Sequence, residues 1–491
     1  MTRVRTRFAP SPTGSLHIGG IRSALYPNAL DRRNGGDFIL RIEDTDQNRK
    51  VEGSEQEIQD VMTAYGLEWD EMYKQSERLD IYKEYAEKLI ESGHAYYSFE
   101  TKEELEEARS LAEANNQIFK FRSPNRDMPL DEARKRVESG EQYVIRLKTP
   151  ESEELDYEDA VQGKMRFNTA DIDDTILLKS DGYPTYHLAV VVDDKLMEIT
   201  HVLRGFGWIP STPKHILIHR AFGWEMPVYG HLTDILNPDG KGKLSKRSGA
   251  VAAQSFLNEG YLPEAVLNFL MLLGWSSPEE RVHGETEREL FTLEDFVEIF
   301  DLKDLNKSNQ IFDRQKLQWF NKQYIHVLSD DALENRFLNW FKENSDDQKL
   351  KEMIVEKGPD YLQEILKLSK QRLTLLSDVP DQIIGFYRRP DKLAFSEVKQ
   401  LKKIDEKELH LVLSDFLIYL EDQDEDLANW DHDQWEHQVR EIADAYELKH
   451  GVAFMALRTA ITRAIASPPL FETIEILGKK ETTERIKEYL S

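Results

Sequence analysis

The chain contains no cysteine, which excludes disulfide cross-links and any thiolate zinc site. It also lacks any run of about 18 apolar residues, the length an ordinary membrane-spanning helix needs. The opening Met1-Thr-Arg-Val-Arg-Thr-Arg-Phe8 is basic but has no apolar stretch behind it, so a secretory leader is not expected and a cytoplasmic location is. Internal repeats and low-complexity linkers are missing too. Positive charge is scarce: 64 Lys and Arg stand against 91 Asp and Glu, a net charge of -27. That balance favours solubility and argues against a general nucleic-acid coat, so a polyanionic partner must meet a local basic surface. At 491 residues the chain is long for one core, and about two to four domains are expected.

Against this background one stretch stands out, Arg7-Phe-Ala-Pro-Ser-Pro-Thr-Gly-Ser-Leu-His-Ile-Gly-Gly20. Val4 to Phe8 alternate apolar and polar side chains, whereas Ile18, Ile21, Leu25 and Ala29 recur at helical spacing, so a strand gives way to a helix across a Pro/Gly turn. Gly14, Gly19 and Gly20 leave the backbone open, and the free N–H groups of a first helical turn favour an anion. His17 stands at the mouth of that helix, where it can donate to a phosphate oxygen. Taken alone, the stretch fits a nucleotide-binding turn and an ordinary strand-to-helix connection equally well. A second stretch, Lys241-Gly-Lys-Leu-Ser-Lys-Arg-Ser-Gly249, puts four positive charges within seven residues. Its Gly and Ser spacing suits a clamp on a polyphosphate, or a solvated charge run.

The remaining pattern is α/β followed by mostly helix. Phe38 to Ile42 reads as a buried strand with Glu43-Asp-Thr-Asp46 at its C-terminal end, where ligands of open α/β sheets gather. Ser54 to Tyr65 reads as a helix opened by a Ser54–Glu57 capping box. Another helix spans Arg78 to Ser92, and Ala95 to Phe99 is a strand. From about Lys102 to Lys179 charged helices and isolated strands suggest an inserted domain. The sheet is expected to resume at Asp181 to Asp194, a β-branched run closed by paired aspartates, before Ser211-Thr-Pro213 opens a helix. Helices follow at Val251 to Asn258 and Pro263 to Leu273. Farther on, Trp435, Val439, Ile442, Ala443 and Tyr446 form one apolar stripe. Pro27 inside the first helix costs about 3 kcal/mol unless the helix kinks there.

Together the two stretches resemble the His-Ile-Gly-His-type and Lys-Met-Ser-Lys-Ser-type signatures of class I aminoacyl-tRNA synthetases. With Ala9-Pro-Ser-Pro-Thr-Gly14, Arg41-Ile-Glu-Asp-Thr-Asp46 and Lys243-Leu-Ser-Lys-Arg247, the chain is similar to the bacterial glutamyl branch from about Arg3 to its C-terminus. The resemblance implies an α/β, Rossmann-type doubly wound parallel sheet with an inserted α+β connective domain, followed by an all-α anticodon-binding region. It implies a catalytic domain at 1–100 and 181–250, the insertion holding the tRNA acceptor end at 101–180, a stem-contact helical domain at 251–320 and the anticodon region at 321–491. The implied reaction is ATP-dependent ligation of L-glutamate to tRNA-Glu through a glutamyl-adenylate, with magnesium arriving on the ATP, in a monomeric enzyme that contacts no membrane. Paralogues that modify queuosine lack the helical tail, whereas this chain has it.

The same resemblance distributes the residues. His17, Lys243 and Lys246 are the catalytic group; Thr13, Gly14, Gly19, Gly20 and Ser245 join them around ATP. Arg7, Ala9, Ser11, Glu43, Tyr186 and Arg204 are the glutamate contacts. Arg372, Arg458, Pro468 and Leu470 are the anticodon contacts. Some relatives carry a cysteine-based zinc site in the insertion; Tyr96, Tyr97, Ser98 and Phe99 occupy that stretch here, so no zinc is expected. Phe206-Gly207 and Pro27 depart from the family's usual wording. A form that also charges tRNA-Gln with glutamate, and an inactive tRNA-binding paralogue, are the alternatives.

Overall fold

The computed structural model describes residues 3–115, 119–244, 252–278, 288–423, 432–465 and 467–491. They divide into one unit of Met1–Phe256 and Pro263–Leu317 and a second of Leu257–Leu262 and Gln318–Ser491.

The first unit opens with three parallel strands, β1 (Arg5–Phe8), β2 (Asp37–Ile42) and β3 (Glu71–Lys74), paired in that order. They are joined by α1 (Ile18–Arg33) and α2 (Ser54–Ala64), and α3 (Leu79–Glu91) follows β3. All six residues of β2 are buried, as expected of a parallel strand covered on both faces. Pro27 is accommodated within α1, and its carbonyl accepts the Thr6 hydroxyl at 2.9 Å. The capping box expected at Ser54 does not form. Gly53, at φ 79°, is the N-cap of α2, while the Ser54 hydroxyl donates to the carbonyls of Pro12 (2.8 Å) and Val51 (2.7 Å). Ser54 therefore ties α2 to the turn after β1 instead of capping its own helix.

Between the halves of the sheet lies an inserted segment that belongs to the same unit and shares a core with Tyr82 and Leu89 of α3. It contains β4 (Ala95–Ser98), α4 (Lys102–Ala114), α5 (Leu130–Glu138), β5 (Val144–Leu147), the strands β6 (Glu154–Asp159) and β7 (Gly163–Asn168), and β8 (Ile176–Leu178). β4, β5 and β8 pair antiparallel in that order, and β6 and β7 form a hairpin. The exit of β4 is fastened to the segment before α5 by one carboxylate. Glu100 accepts from the hydroxyls of Ser98 and Ser123 and from the Asn125 amide at 2.8 Å. Burial alone would raise the Glu100 carboxyl, but these donors hold it below its ordinary value.

The stretch expected to be a strand, Asp181 to Asp194, is corrected by the structure: it contains a helix, α6 (Tyr186–Leu196). Leu188 to Asp194 are all buried, so the run carries no amphipathic period, and a short apolar run cannot be assigned by periodicity alone. The sheet resumes instead at β9 (His201–Gly205), which after α7 (Thr212–Ala221) pairs in parallel with β10 (Val228–Leu232). β11 (Ile235–Leu236) follows. At the seam, Thr200 N–H donates to the Arg5 carbonyl at 2.9 Å, and Arg5 N–H donates to the Thr200 hydroxyl at 2.9 Å. β9 thus lies beside β1, giving the lateral order β3–β2–β1–β9–β10. The order reverses between β1 and β9, the place where doubly wound sheets open a ligand crevice at their carboxyl ends.

The second unit is helical throughout its longer elements. Four of its helices, Glu406–Glu421, His432–Ala445, His450–Thr462 and Leu470–Leu490, enclose a core containing Leu413, Phe416, Trp435, Val439 and Leu457.

Asp31 supplies a test of the packing beneath β1. Burial, and then the nearby Asp70, push its carboxyl up to about 7. Because this lies above the unfolded value of about 3.9, the neutral form stabilises the fold. That contribution is complete below about pH 4 and lost as the pH rises through about 7. Asp31→Asn is expected to gain on wild type by about 2–4 kcal/mol between pH 5 and pH 8 in urea titrations. A constant difference across that range would contradict this assignment.

Candidate active site

A cavity of about 420 Å³ opens at the switch point, lined from the ends of β1, β2 and β9, from the N-terminus of α1 and from α6. The turn after β1 is held by its own carbonyls. Pro10 accepts the Glu43 N–H at 2.9 Å and Pro12 accepts the Val51 N–H at 3.0 Å, which brings the end of β2 beside it. Gly14 adopts φ 127°, a conformation that side-chain-bearing residues rarely take. At Gly20 a Cβ would stand 2.5 Å from Leu16 Cδ1, so a larger residue would have to displace the Leu16 side chain. His17 is the N-cap in an extended conformation with no side-chain capping bond, and the first-turn N–H groups favour an anion at this end.

Arg7, Ala9, Ser11, Thr13, Gly14, His17, Gly19, Gly20, Glu43, Tyr186, Arg204 and Lys243 all line this one cavity. Ser245 and Lys246 lie outside the described residues. The two flanks of their segment are described. Lys243 bridges to Leu236 and pairs with Asp234 at 2.8 Å. Ala252 bridges to His17, and Ala253 N–H donates to the Leu16 carbonyl at 2.8 Å. The residues on either side of that segment are therefore anchored beside the cavity-lining Asp234, Leu16 and His17.

Behind the cavity lies a buried ion cluster. Asp194 Oδ1 accepts from Arg41 Nη1 at 2.7 Å and from Arg7 Nε at 3.1 Å, while Arg41 Nη2 donates to Glu43 at 3.0 Å. Asp193 accepts from Gln75 (3.0 Å), Arg78 (2.9 Å) and Tyr82 (2.7 Å). Burial acts to raise the Asp194 carboxyl, but Arg7 and Arg41 outweigh it and hold the group low. Glu43 shows the opposite outcome: burial raises it and the same two arginines only moderate the rise. Paired aspartates ending an apolar run are the signal that could have revealed this cluster, since such carboxylates are seldom fully buried unless paired.

Arg204 differs from Arg7 and Arg41, which are paired with carboxylates. It donates to His231 Nε2 (3.0 Å), the Tyr186 hydroxyl (3.0 Å), His215 Nδ1 (3.2 Å), the Thr212 hydroxyl (2.7 Å) and the Trp208 carbonyl (3.4 Å). All are neutral acceptors, and among the described residues no carboxylate lies within 4.0 Å of it, although it is 6% exposed. A buried cation held by neutral groups can still take a charged partner. His231, His215 and Thr212 had no motif to announce them. Among the described residues no group of three or more His, Cys, Asp or Glu is placed to hold a metal ion.

The remaining expected contacts lie in the second unit. Arg372 is exposed, and its charge reaches Arg458. Arg458 Nη1 donates to the carbonyls of Ser467 and Pro468, each at 2.9 Å, so this arginine holds a turn. Pro468 and Leu470 are buried, Leu470 within the helical core. Their side chains lie on the inner side of that turn.

Residues 3–319 match the family described as tRNA synthetases class I (E and Q), catalytic domain, and residues 332–490 match an anticodon binding domain. Curated relatives named glutamate–tRNA ligase include one from Christiangramia forsetii, 38% identical over 99% of this chain and 98% of its own. Another, from Alkaliphilus metalliredigens, is 39% identical over 99% of both chains. A crystal structure of a glutamate tRNA ligase from Elizabethkingia meningosepticum, in complex with its amino acid, superposes with a TM-score of 0.85 at 34% identity, covering 99% of each chain.

Removing the shared carboxylate tests the ion cluster. Asp194→Asn leaves Arg7 and Arg41 buried with their charge reduced to fewer partners, and a loss of about 3–5 kcal/mol is expected in denaturant unfolding. A loss under about 1 kcal/mol would show that the cluster is not what holds these arginines.

Proposed function

The chain belongs to the class I tRNA synthetases of the glutamate and glutamine branch, and we propose that the cavity between β1 and β9 is where it joins L-glutamate to tRNA-Glu through a glutamyl-adenylate. It is a glutamate–tRNA ligase, using ATP and releasing AMP and diphosphate. The observation that carries the assignment of the cavity is Arg204, a buried cation whose contacts are all neutral. A side-chain carboxylate gives it a charged partner held bidentately. The amide of glutamine would turn donors toward donors, a mismatch of about 1–3 kcal/mol per unsatisfied group.

Glutamate lies with its ammonium toward Glu43 and its side-chain carboxylate toward Arg204, with Arg7, Ala9, Ser11 and Tyr186 completing the contacts. The substrate's α-carboxylate attacks the α-phosphorus of ATP, and negative charge moves onto the diphosphate. Such a step asks for positioning and charge stabilisation rather than a protein nucleophile. His17 and the N-terminus of α1 meet the α-phosphate, with Thr13, Gly14, Gly19 and Gly20 leaving room for the nucleotide. Lys243, exchanging Asp234 for phosphate oxygens, meets the β- and γ-phosphates with Ser245 and Lys246. Magnesium accompanies ATP and needs few protein ligands. The terminal 2′-hydroxyl of the tRNA then attacks the adenylate, the regiochemistry of the class.

The inserted residues 101–180 hold the acceptor end, 251–320 contact the stem, and 321–491 read the anticodon with the exposed Arg372 as the reading side chain. The enzyme works as a cytoplasmic monomer. Among the described residues no helix is long and apolar enough to cross a membrane.

Lys246→Ala is expected to lower glutamate-dependent ATP–diphosphate exchange, assayed with tRNA present, by at least about 100-fold while leaving tRNA binding nearly unchanged. Undiminished exchange would overturn the role of the basic loop. Charging purified tRNA-Glu and tRNA-Gln side by side is expected to give glutamyl-tRNA only with the first. Equal rates would establish the relaxed form, and no charging of either would sink the assignment.

A further inference from the structure

We propose that Asp159, His231 and His215 are positioning residues that aim Arg204 at the substrate's side-chain carboxylate, with Asp159 acting across His231 as a counter-charge kept one imidazole away. This rests on the reading that Arg204 meets that carboxylate. The five N–H donors of Arg204 divide into two sets. Tyr186 and Trp208 line the cavity, whereas Thr212, His215 and His231 do not and are 0%, 1% and 0% exposed. An arriving carboxylate exchanges with the front pair. The back three stay and fix the plane of the fork.

The tautomers follow from donor chemistry. A guanidinium has no acceptor, so His231 Nε2 must carry the lone pair that meets Arg204 Nε. Its proton is therefore on Nδ1, which donates to Asp159 Oδ2. By the same rule His215 Nδ1 accepts from Arg204, and its Nε2–H donates to His187 Nδ1 at 3.3 Å. Burial keeps both His231 and His215 neutral, with Arg204 acting in the same direction.

Asp159 has only one oxygen to offer the imidazole. Its Oδ1 already accepts the backbone N–H groups of Val161 (3.0 Å), Gln162 (2.9 Å) and His231 (3.1 Å). A carboxylate in direct contact with Arg204, as Asp194 is with Arg7, would compete with the substrate. Set behind His231, Asp159 compensates the buried cation without occupying its fork. The anion comes from β6 of the inserted domain, the imidazole from β10 and the arginine from β9.

Asp159→Asn separates this relay from simple packing. The three backbone N–H groups require an acceptor at the Oδ1 position, so the amide NH₂ falls where Oδ2 was. His231 must then accept on Nδ1 and carry its proton on Nε2, facing the Arg204 N–H. Glutamate KM in ATP–diphosphate exchange with tRNA is expected to rise on the order of tenfold, with ATP KM near wild type. His231→Gln restores an acceptor without the tautomer problem, so the Asp159→Asn, His231→Gln double variant is expected to bind glutamate better than Asp159→Asn alone. His231→Leu, lacking the acceptor, is expected to match Asp159→Asn, and its comparison with His231→Gln carries the test if Asp159→Asn does not fold. A folded Asp159→Asn enzyme with wild-type glutamate KM would overturn the relay, as would equal rises in both KM values. Arg204→Leu tells the two failures apart. If it keeps the wild-type glutamate KM, the carboxylate assignment falls and takes the relay with it; if it loses glutamate while the Asp159 and His231 variants do not, the relay alone is wrong.

Discussion

The first unit depends on the charge cluster of Arg7, Arg41, Asp193 and Asp194. Arg7 belongs to β1, Arg41 to β2 and the two aspartates to α6, which follows the whole inserted domain. Breaking one member of a buried pair leaves an uncompensated charge in a poorly solvated place, so the elements that carry these groups cannot drift apart independently. The sheet on one side of the insertion is thereby fixed to the helix on the other, and the crevice between β1 and β9 takes its shape from that closure. Glu43 is held against Arg41 by the same cluster. The site thus inherits its geometry from a charge cluster that reaches behind it.

Three kinds of buried arginine do three kinds of work here. Arg7 and Arg41 are neutralised by carboxylates and serve cohesion. Arg22 is held by the Leu273 and Thr233 carbonyls and joins α1 to later elements of its unit. Arg204 is held by neutral groups and keeps its charge available. Buried aspartates slightly outnumber buried arginines, so the surface keeps nearly all of the acidic excess of the composition. That acidity discourages nonspecific polyanion contacts and reserves binding for places such as the basic stretch beyond β11.

Much of the site was legible because it lies in compact motifs. The turn from Arg7 to Gly20, Glu43 at the end of β2, and Lys243 are marked by glycines, prolines and local charge, and all line one cavity. What could not be read was assembled across distance. Asp159 and His231 sit 72 positions apart on strands with no special spacing, and a lone histidine or aspartate in a strand carries no local sign of its partner. The helix α6 was misread for a different reason. Burial on every side erases the amphipathic period, and three consecutive valines favour a strand locally, so tertiary packing decided against propensity. Pro468 and Leu470 are buried, which a motif could not announce, because it names a position without telling which way its side chain points.

The carboxylate of Glu100 gathers Ser98, Ser123 and Asn125 from two separate segments of the inserted domain. A seam made this way is closed by directional donors around one negative oxygen pair, and it involves no sulfur atom that an oxidant could modify. Its strength answers to protons instead. The carboxyl is depressed by folding, so the seam contributes fully above the unfolded carboxylate range and weakens as acid titrates the group. The cohesion of this seam is therefore tied to the acidity of its surroundings.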